Sequence, residues 1–230
     1  MEREQGSEGM FSRLPIVVWA VVTPMIAMEV VLGLAALGIL GGAEGAFWRI
    51  EAIQRFAFVP DLARLMAETG GWTEGGLVRF LSYPFVHLGL IDAAFMVALT
   101  LALGKVAGEA LGSTGFIAVF FGAAIAGGAA AAFVLSGVDP LIGGFPAAYG
   151  LIGAFTFLLW ARLGQVGGPR WRAFGLIGML VALQLVFGAI FGGVSRLVPD
   201  LAGFAAGFVL APFFVAGGVA RIVSALRRRG

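Results

Sequence analysis

Six continuous apolar stretches, each about as long as a membrane-spanning helix, constrain this chain of 230 residues more than any other feature. A helix needs about 20 mostly apolar residues to cross the hydrocarbon core of a bilayer. Charged residues make up only 12% of the chain, whereas a soluble domain carries about 25%. The sequence therefore predicts an all-α membrane protein with six spans. The stretches lie at about residues 14–40, 83–103, 116–135, 142–163, 174–191 and 201–219.

Two tails flank the apolar region. We expect a polar tail at residues 1–13, a single membrane domain at 14–220 and a basic tail at 221–230. With six spans and both termini on one side, ten of the 15 basic residues fall on that side. These are Arg3, Arg13, Lys105, Arg162, Arg170, Arg172, Arg221, Arg227, Arg228 and Arg229. Because short cytoplasmic loops are enriched in Lys and Arg, we expect both termini to be cytoplasmic, in a bacterial cytoplasmic (inner) membrane.

The connection from residue 41 to 79 is long and mixes aromatic with charged side chains. This mixture is typical of short amphipathic helices that lie in the membrane interface. Pro60 with Asp61 is expected to end one such helix and to begin the next. A folded loop that packs on the outer face of the bundle is the alternative.

Four ionisable side chains lie within or beside the apolar stretches: Glu29, His87, Asp92 and Asp200. Such groups are costly inside a bilayer, so each is a candidate for function. Each also has a structural interpretation. Glu29 can be paired with a neighbour, protonated or exposed to a polar cavity, His87 can be a hydrogen-bonded interior histidine, and Asp200 can cap a helix N-terminus.

The chain contains one histidine and no cysteine, which restricts its chemistry. A serine hydrolase would need His87 as its base, and none of the seven serines stands in a Gly-x-Ser-Gly context at a helix start. A histidine-rich metal site is impossible, and disulfides and thiolate catalysis are excluded. We expect no metal and no other cofactor. The net charge of +2 gives no reason to expect nucleic acid binding.

Three segments, in order, resemble motifs of the rhomboid intramembrane serine proteases. Arg79-Phe-Leu-Ser-Tyr-Pro-Phe-Val-His87 is similar to the segment before the second rhomboid helix. Gly143-Gly-Phe-Pro-Ala-Ala-Tyr-Gly-Leu-Ile-Gly-Ala-Phe155 resembles the run Gly-x-Ser-Gly-Ala-x-Phe-Gly-Leu-x-Gly-Ala-Phe. Asp200-Leu-Ala-Gly-Phe-Ala-Ala-Gly207 resembles the last-helix pattern His-x-x-Gly-x-x-x-Gly. The resemblance covers about residues 14–217 and implies a six-transmembrane-helix rhomboid-like bundle with a long, partly helical first loop.

The same resemblance implies that the catalytic residues are missing. Phe145 stands where the family has its nucleophilic serine, Asp200 where it has its histidine, and Met96 where it has an oxyanion-binding asparagine. A benzyl group cannot attack a carbonyl, and a thioether cannot donate a hydrogen bond. The chain is therefore expected to be a pseudoprotease. The glycines expected to keep the helices in close contact are Gly143, Gly150, Gly153, Gly203 and Gly207.

A pseudoprotease of this kind is expected to bind a transmembrane client without cleaving it, because substrates of the family enter laterally from the lipid. The side chains expected to contact a client or partner are His87, Asp92, Phe145, Pro146, Tyr149 and Asp200. A structural accessory subunit of a larger membrane complex is the alternative. An active hydrolase that uses displaced residues and a small proton-coupled transporter are less favoured. Membrane lipid is the other expected partner.

Overall fold

The computed structural model describes residues 14–135, 137, 139–191 and 196–215. This part of the chain is helical and contains no β-strand, which confirms the predicted helical class. Two 3₁₀-helices, Tyr83–Phe85 and Arg170–Phe174, accompany the α-helices. The α-helices are α1 (Ile16–Ala36), α2 (Gly42–Gly45), α3 (Trp48–Phe56), α4 (Pro60–Thr69), α5 (Glu74–Ser82), α6 (Leu90–Val134), α7 (Phe145–Gln165), α8 (Gly175–Phe191) and α9 (Leu197–Phe214).

Helix α6 contains both the second and the third predicted span, and the connection between them is shorter than residues 104–115, where the sequence predicts it. The segment has 45 residues and breaks at Gly112, whose φ of 71° and ψ of 175° are not helical. The chain turns back at this break, because Tyr83, which precedes the segment, donates a hydrogen bond to the Ala124 carbonyl in its second part at 2.9 Å. Gly104 and Gly108, which suggest a loop in the sequence, lie in the helix and pack against α1. A Cβ at Gly104 would lie 2.9 Å from the Val18 side chain, and one at Gly108 would lie 2.9 Å from Pro15. These glycines let α1 approach α6 closely.

Two other predicted boundaries are wrong by several residues. The second apolar stretch is expected from Tyr83, but α6 begins at Leu90, so His87 lies in the turn before the helix. The last helix begins at Leu197, so Asp200 is its fourth residue, and Arg196 is the N-cap. The predicted end of the sixth span at residue 219 lies outside the described residues, as do the tails at 1–13 and 221–230.

Four helices in the described part of the chain are long and apolar enough to cross a membrane: α1, α6, α7 and α9. The break at Gly112 divides α6 into two parts, and each is long enough to span, since a span takes about 17–25 residues. Helix α8 has 17 residues, which is at the lower limit of that range. The total of six spans with both termini inside therefore stays a prediction. Reporter fusions at the two termini and in the first loop will check it, and a terminus found outside would contradict it.

The first loop is folded and held against the bundle. Phe58 is 1% exposed, and its ring meets that of Phe80 edge-on at 4.6 Å between centroids. Arg64 donates to the carbonyls of Ala132 and Leu135 at the end of α6. Cationic side chains stabilise the carbonyl end of a helix. The loop helices α2–α5 are thus part of the folded domain, and α4 begins at Pro60 as the sequence predicts.

Candidate functional site

Helices α7 and α9 form the centre of the bundle, and glycines bring their backbones together. A Cβ at Gly203 would overlap the carbonyl of Pro146, and one at Gly207 would overlap the carbonyl of Gly150. From the other side, a Cβ at Gly153 would overlap the carbonyl of Phe204. Gly143 differs, because it lies before α7 and its φ of +85° is a conformation that favours glycine.

The start of α7 holds Phe145 and Pro146, two of the residues that the sequence resemblance singles out. Phe145 is the first residue of the helix, and its ring stacks on Phe95 of α6 at 6.3 Å between centroids. Pro146 is buried and has no N–H to donate. Free backbone N–H groups at a helix N-terminus are what an oxyanion site uses. Because Pro146 has no N–H, this helix start has one hydrogen-bond donor fewer than a helix start without proline. Its first residue, Phe145, carries no nucleophilic group.

A small pocket lies where α9 meets the start of α7. Its volume is about 20 Å³, and Phe145, Pro146, Arg196 and Asp200 are among its lining residues. A cavity of about 10–15 Å³ is the least that can hold a water molecule, so this pocket has room for about one water and not for a peptide. The structure therefore brings together Phe145, Pro146 and Asp200, three of the predicted site residues.

Asp200 is 3% exposed and has one hydrogen-bond donor among the described side chains. Gln184 of α8 donates from Nε2 to its Oδ2 at 2.7 Å. The Gln184 Oε1 atom is buried without a partner in the described residues. Asp200 is not the N-cap of α9, which is Arg196, and its hydrogen bond goes to Gln184 and not to the free N–H groups of the helix start. The carboxylate instead joins α9 to α8.

His87 and Asp92 do not line this pocket. Asp92 lies next to it, because a Cβ at the lining residue Gly143 would be 3.7 Å from Asp92 Oδ2. Asp92 accepts a hydrogen bond from the Leu88 N–H at 3.1 Å, and it lies in the first turn of α6, where a carboxylate is favourable. His87 is 1% exposed, and neither ring nitrogen makes a well-formed hydrogen bond to a described residue. Burial lowers the pKa of His87, while the Asp92 and Glu29 carboxylates act in the opposite direction. The imidazole is therefore neutral at pH 7.

The two other predicted positions, Met96 and Tyr149, are buried. Met96 is fully buried, and a Cβ at Gly144 would lie 3.0 Å from its methyl group. Tyr149 is 5% exposed and packs in a cluster with Ile152 and Ile177. Neither residue lines the small pocket.

Glu29 has a partner that lies in the first loop. Arg49 of α3 donates from Nη2 to Glu29 Oε1 at 2.8 Å and from Nη1 to Oε2 at 2.9 Å. The same Nη1 donates to the His87 carbonyl at 2.9 Å. The guanidinium thus joins α1, α3 and the turn before α6. A bidentate pair of this kind is among the stronger side-chain interactions.

Sequence reasoning missed two of these residues. Gln184 is the only polar side chain in the fifth apolar stretch, and that isolation is a signal for an interior contact. Arg49 is one of several arginines in a polar loop, so nothing local distinguishes it. Among the described residues no cluster of three His, Cys, Asp or Glu side chains could hold a metal ion.

Comparison with known families identifies the fold. A family model of the rhomboid domain matches residues 74–217, which is more than half of the chain. The match includes the turn with His87, the start of α7 and the glycine-lined face of α9. A comparison with curated proteins finds no match. Because the rhomboid domain model matches more than half of its residues, the chain belongs to the rhomboid family.

Proposed function

We propose that this rhomboid-family protein is a pseudoprotease that binds a transmembrane client or partner in the membrane without cleaving it. The proposal is based on the start of α7, where the Phe145 ring stacks on Phe95 and the next residue is Pro146. The position that needs a hydroxyl nucleophile holds a benzyl group. The family scaffold is kept while the groups for peptide hydrolysis are replaced.

Replacement at three separate positions supports loss of chemistry more strongly than one substitution would. The nucleophile is replaced by Phe145, the base by Asp200 and an oxyanion donor by Met96. Asp200 is hydrogen-bonded to Gln184, and Met96 has no donor. The only histidine is buried in the turn before α6 and does not line the pocket with Asp200. Neither a serine nor a histidine is among the described residues that line this pocket.

A client would meet the membrane-facing edge of this site rather than its interior, because the small pocket is closed to a peptide. Ile91 is 88% exposed and Phe95 is 56% exposed. They are four residues apart and so lie on one face of α6, next to Phe145. Ile91 and Phe95 face away from the protein core, and together with the half-buried Phe145 they form an apolar ridge that suits an apolar segment of another chain.

The purified protein is expected to show no peptidase activity. The probe is a transmembrane substrate that an active rhomboid protease, run in parallel as the positive control, does cleave. Labelling by a fluorophosphonate should also be absent. The double variant Phe145→Ser with Asp200→His should stay inactive, because Pro146 and Met96 still provide no donors to an oxyanion. Cleavage by the wild-type protein would overturn the proposal.

Client binding has a separate test. A photo-crosslinking amino acid at Phe95 should capture other membrane proteins in cells, and the same group at Val209 of α9, which is 59% exposed, is the control. Several weak crosslinked species are expected from Phe95. A single species in fixed stoichiometry from both positions would favour the accessory-subunit alternative. Equal, nonspecific labelling from both would contradict a docking ridge.

A further inference from the structure

We propose that the groove between α1 and the first turns of α6 is a binding site for one acyl chain of a phospholipid. The groove has a volume of about 600 Å³ and is separate from the small pocket at Asp200. Glu29 is the only charged residue in its walls. The residues that line it are Ile26, Glu29, Val30, Gly33, Leu34 and Leu37 of α1 with Leu90, Ala93, Ala94 and Val97 of α6.

The groove exists because α1 and α6 are close at one end and separated at the other. At the closed end, Pro15 and Val18 contact the helix at Gly108 and Gly104. At the open end, the Arg49 guanidinium lies between the Glu29 carboxylate of α1 and the His87 carbonyl that precedes α6. The three hydrogen bonds fix the separation of the two helices. Defined contacts at both ends therefore keep the groove in this shape.

The length of the groove favours a lipid chain as its occupant. From Ile26 to Leu37 the α1 wall rises about 17 Å, at about 1.5 Å per residue. This is close to the depth of one leaflet, about half of the roughly 30 Å hydrocarbon core. A transmembrane helix that crosses the whole core would meet the closed end at Val18 and Gly104. An acyl chain ends within its own leaflet and does not.

The walls also suit a flexible apolar chain. Val30 is 52% exposed and Leu90 is 71% exposed, so the mouth of the groove is open towards the surroundings of the helices. Nothing lies within 4 Å of a Cβ at Gly33, so the space beside this residue is free of protein. If the groove were empty, the side chains of both walls would lack dispersion contacts, which an acyl chain can supply. The only carboxylate in the wall is already paired with Arg49 and requires no further counter-charge.

The test uses the full chain in vesicles of phosphatidylethanolamine and phosphatidylglycerol that carry a diazirine on one acyl chain. Irradiation should label the segment around residues 26–37 and the start of α6. Gly33→Leu fills the groove without an internal clash, and it should reduce this labelling about tenfold, which corresponds to about 1.4 kcal/mol or the burial of about two methylene groups. Gly178→Leu of α8, whose Cβ also meets nothing within 4 Å, is the matched control and should label like the wild type.

Three outcomes would overturn the proposal. The labelling could be equal in Gly33→Leu and wild type, or it could spread evenly over all lipid-facing helices. A photo-crosslinker at Val30 could capture a polypeptide in place of lipid, in which case the groove is a protein-docking site. If Gly33→Leu fails to fold, Ala94→Leu on the exposed part of the opposite wall repeats the test. Peptidase activity plays no part in these readouts, so this result is independent of the proposed function.

Discussion

Gly207→Leu is expected to unfold the bundle at a temperature well below that of the wild-type protein. The Cβ of any residue at this position would overlap the carbonyl oxygen of Gly150 in α7. The obstacle is backbone, which cannot rotate away as a side chain can. Overpacking a tight contact costs about 1–3 kcal/mol and occasionally more. We expect the upper end of this range or beyond, measured as thermal unfolding in a mild detergent.

Two positions of the same helix make this test specific. Gly203→Leu should destabilise to a similar degree, because its Cβ would overlap the Pro146 carbonyl. Val209→Leu, at a side chain that is 59% exposed, should unfold within a few degrees of the wild type. Equal behaviour of Gly207→Leu and Val209→Leu would show that α7 and α9 are not in backbone contact. The described packing of these two helices would then be wrong.

The packing role of the glycines in α9 could be predicted from sequence, because their spacing follows the helix period. Gly203 and Gly207 are four residues apart and must share one face of a helix. A helix face made of small residues has few uses in a membrane other than close approach to another helix. Family membership could also be predicted, because three short motifs occur in the order that the family has. The rhomboid domain match confirms this prediction.

The length of the connection between the second and third spans could not be predicted from sequence. Glycines and isolated charges are typical of a connection, and Lys105 and Glu109 stand among them. In the folded chain, Gly104 and Gly108 instead pack against α1, and the chain turns at Gly112 alone. The distinction between a glycine that turns the chain and a glycine that packs depends on what lies opposite, which the local sequence does not contain.

Single candidate residues of the site could be selected from the sequence, but their hydrogen-bond partners could not. Phe145 and Asp200 could be aligned with the family motifs because the glycines around them set the register. The Gln184 partner of Asp200 lies on a different helix, and the Arg49 partner of Glu29 lies 20 residues away in the loop. Such pairs depend on the tertiary arrangement of the helices. Sequence could only say that a buried charge needs a partner.

The Glu29–Arg49 pair is the second contact whose loss is expected to have a large effect. Arg49→Leu leaves the Glu29 carboxylate, whose side chain is 7% exposed, without its partner, and it leaves the His87 carbonyl without this donor. Breaking a buried ion pair by removing one partner costs about 3–5 kcal/mol. We expect a large drop in unfolding temperature in detergent. Arg55→Leu, at an exposed arginine of the same helix, should have little effect.

A double-mutant cycle separates the pair from other consequences of the substitution. Glu29→Leu with Arg49→Leu removes both charges, and apolar replacement of a buried pair is often neutral or stabilising. The double variant should therefore be more stable than Arg49→Leu alone, with an interaction energy between the two sites at the upper end of the usual range of about 0.5–3 kcal/mol. Additive losses would mean that Arg49 stabilises the protein through its contact with the His87 carbonyl or through packing of α3. The guanidinium would then still join the first loop to the turn before α6, but the buried carboxylate of α1 would have no part in holding it there.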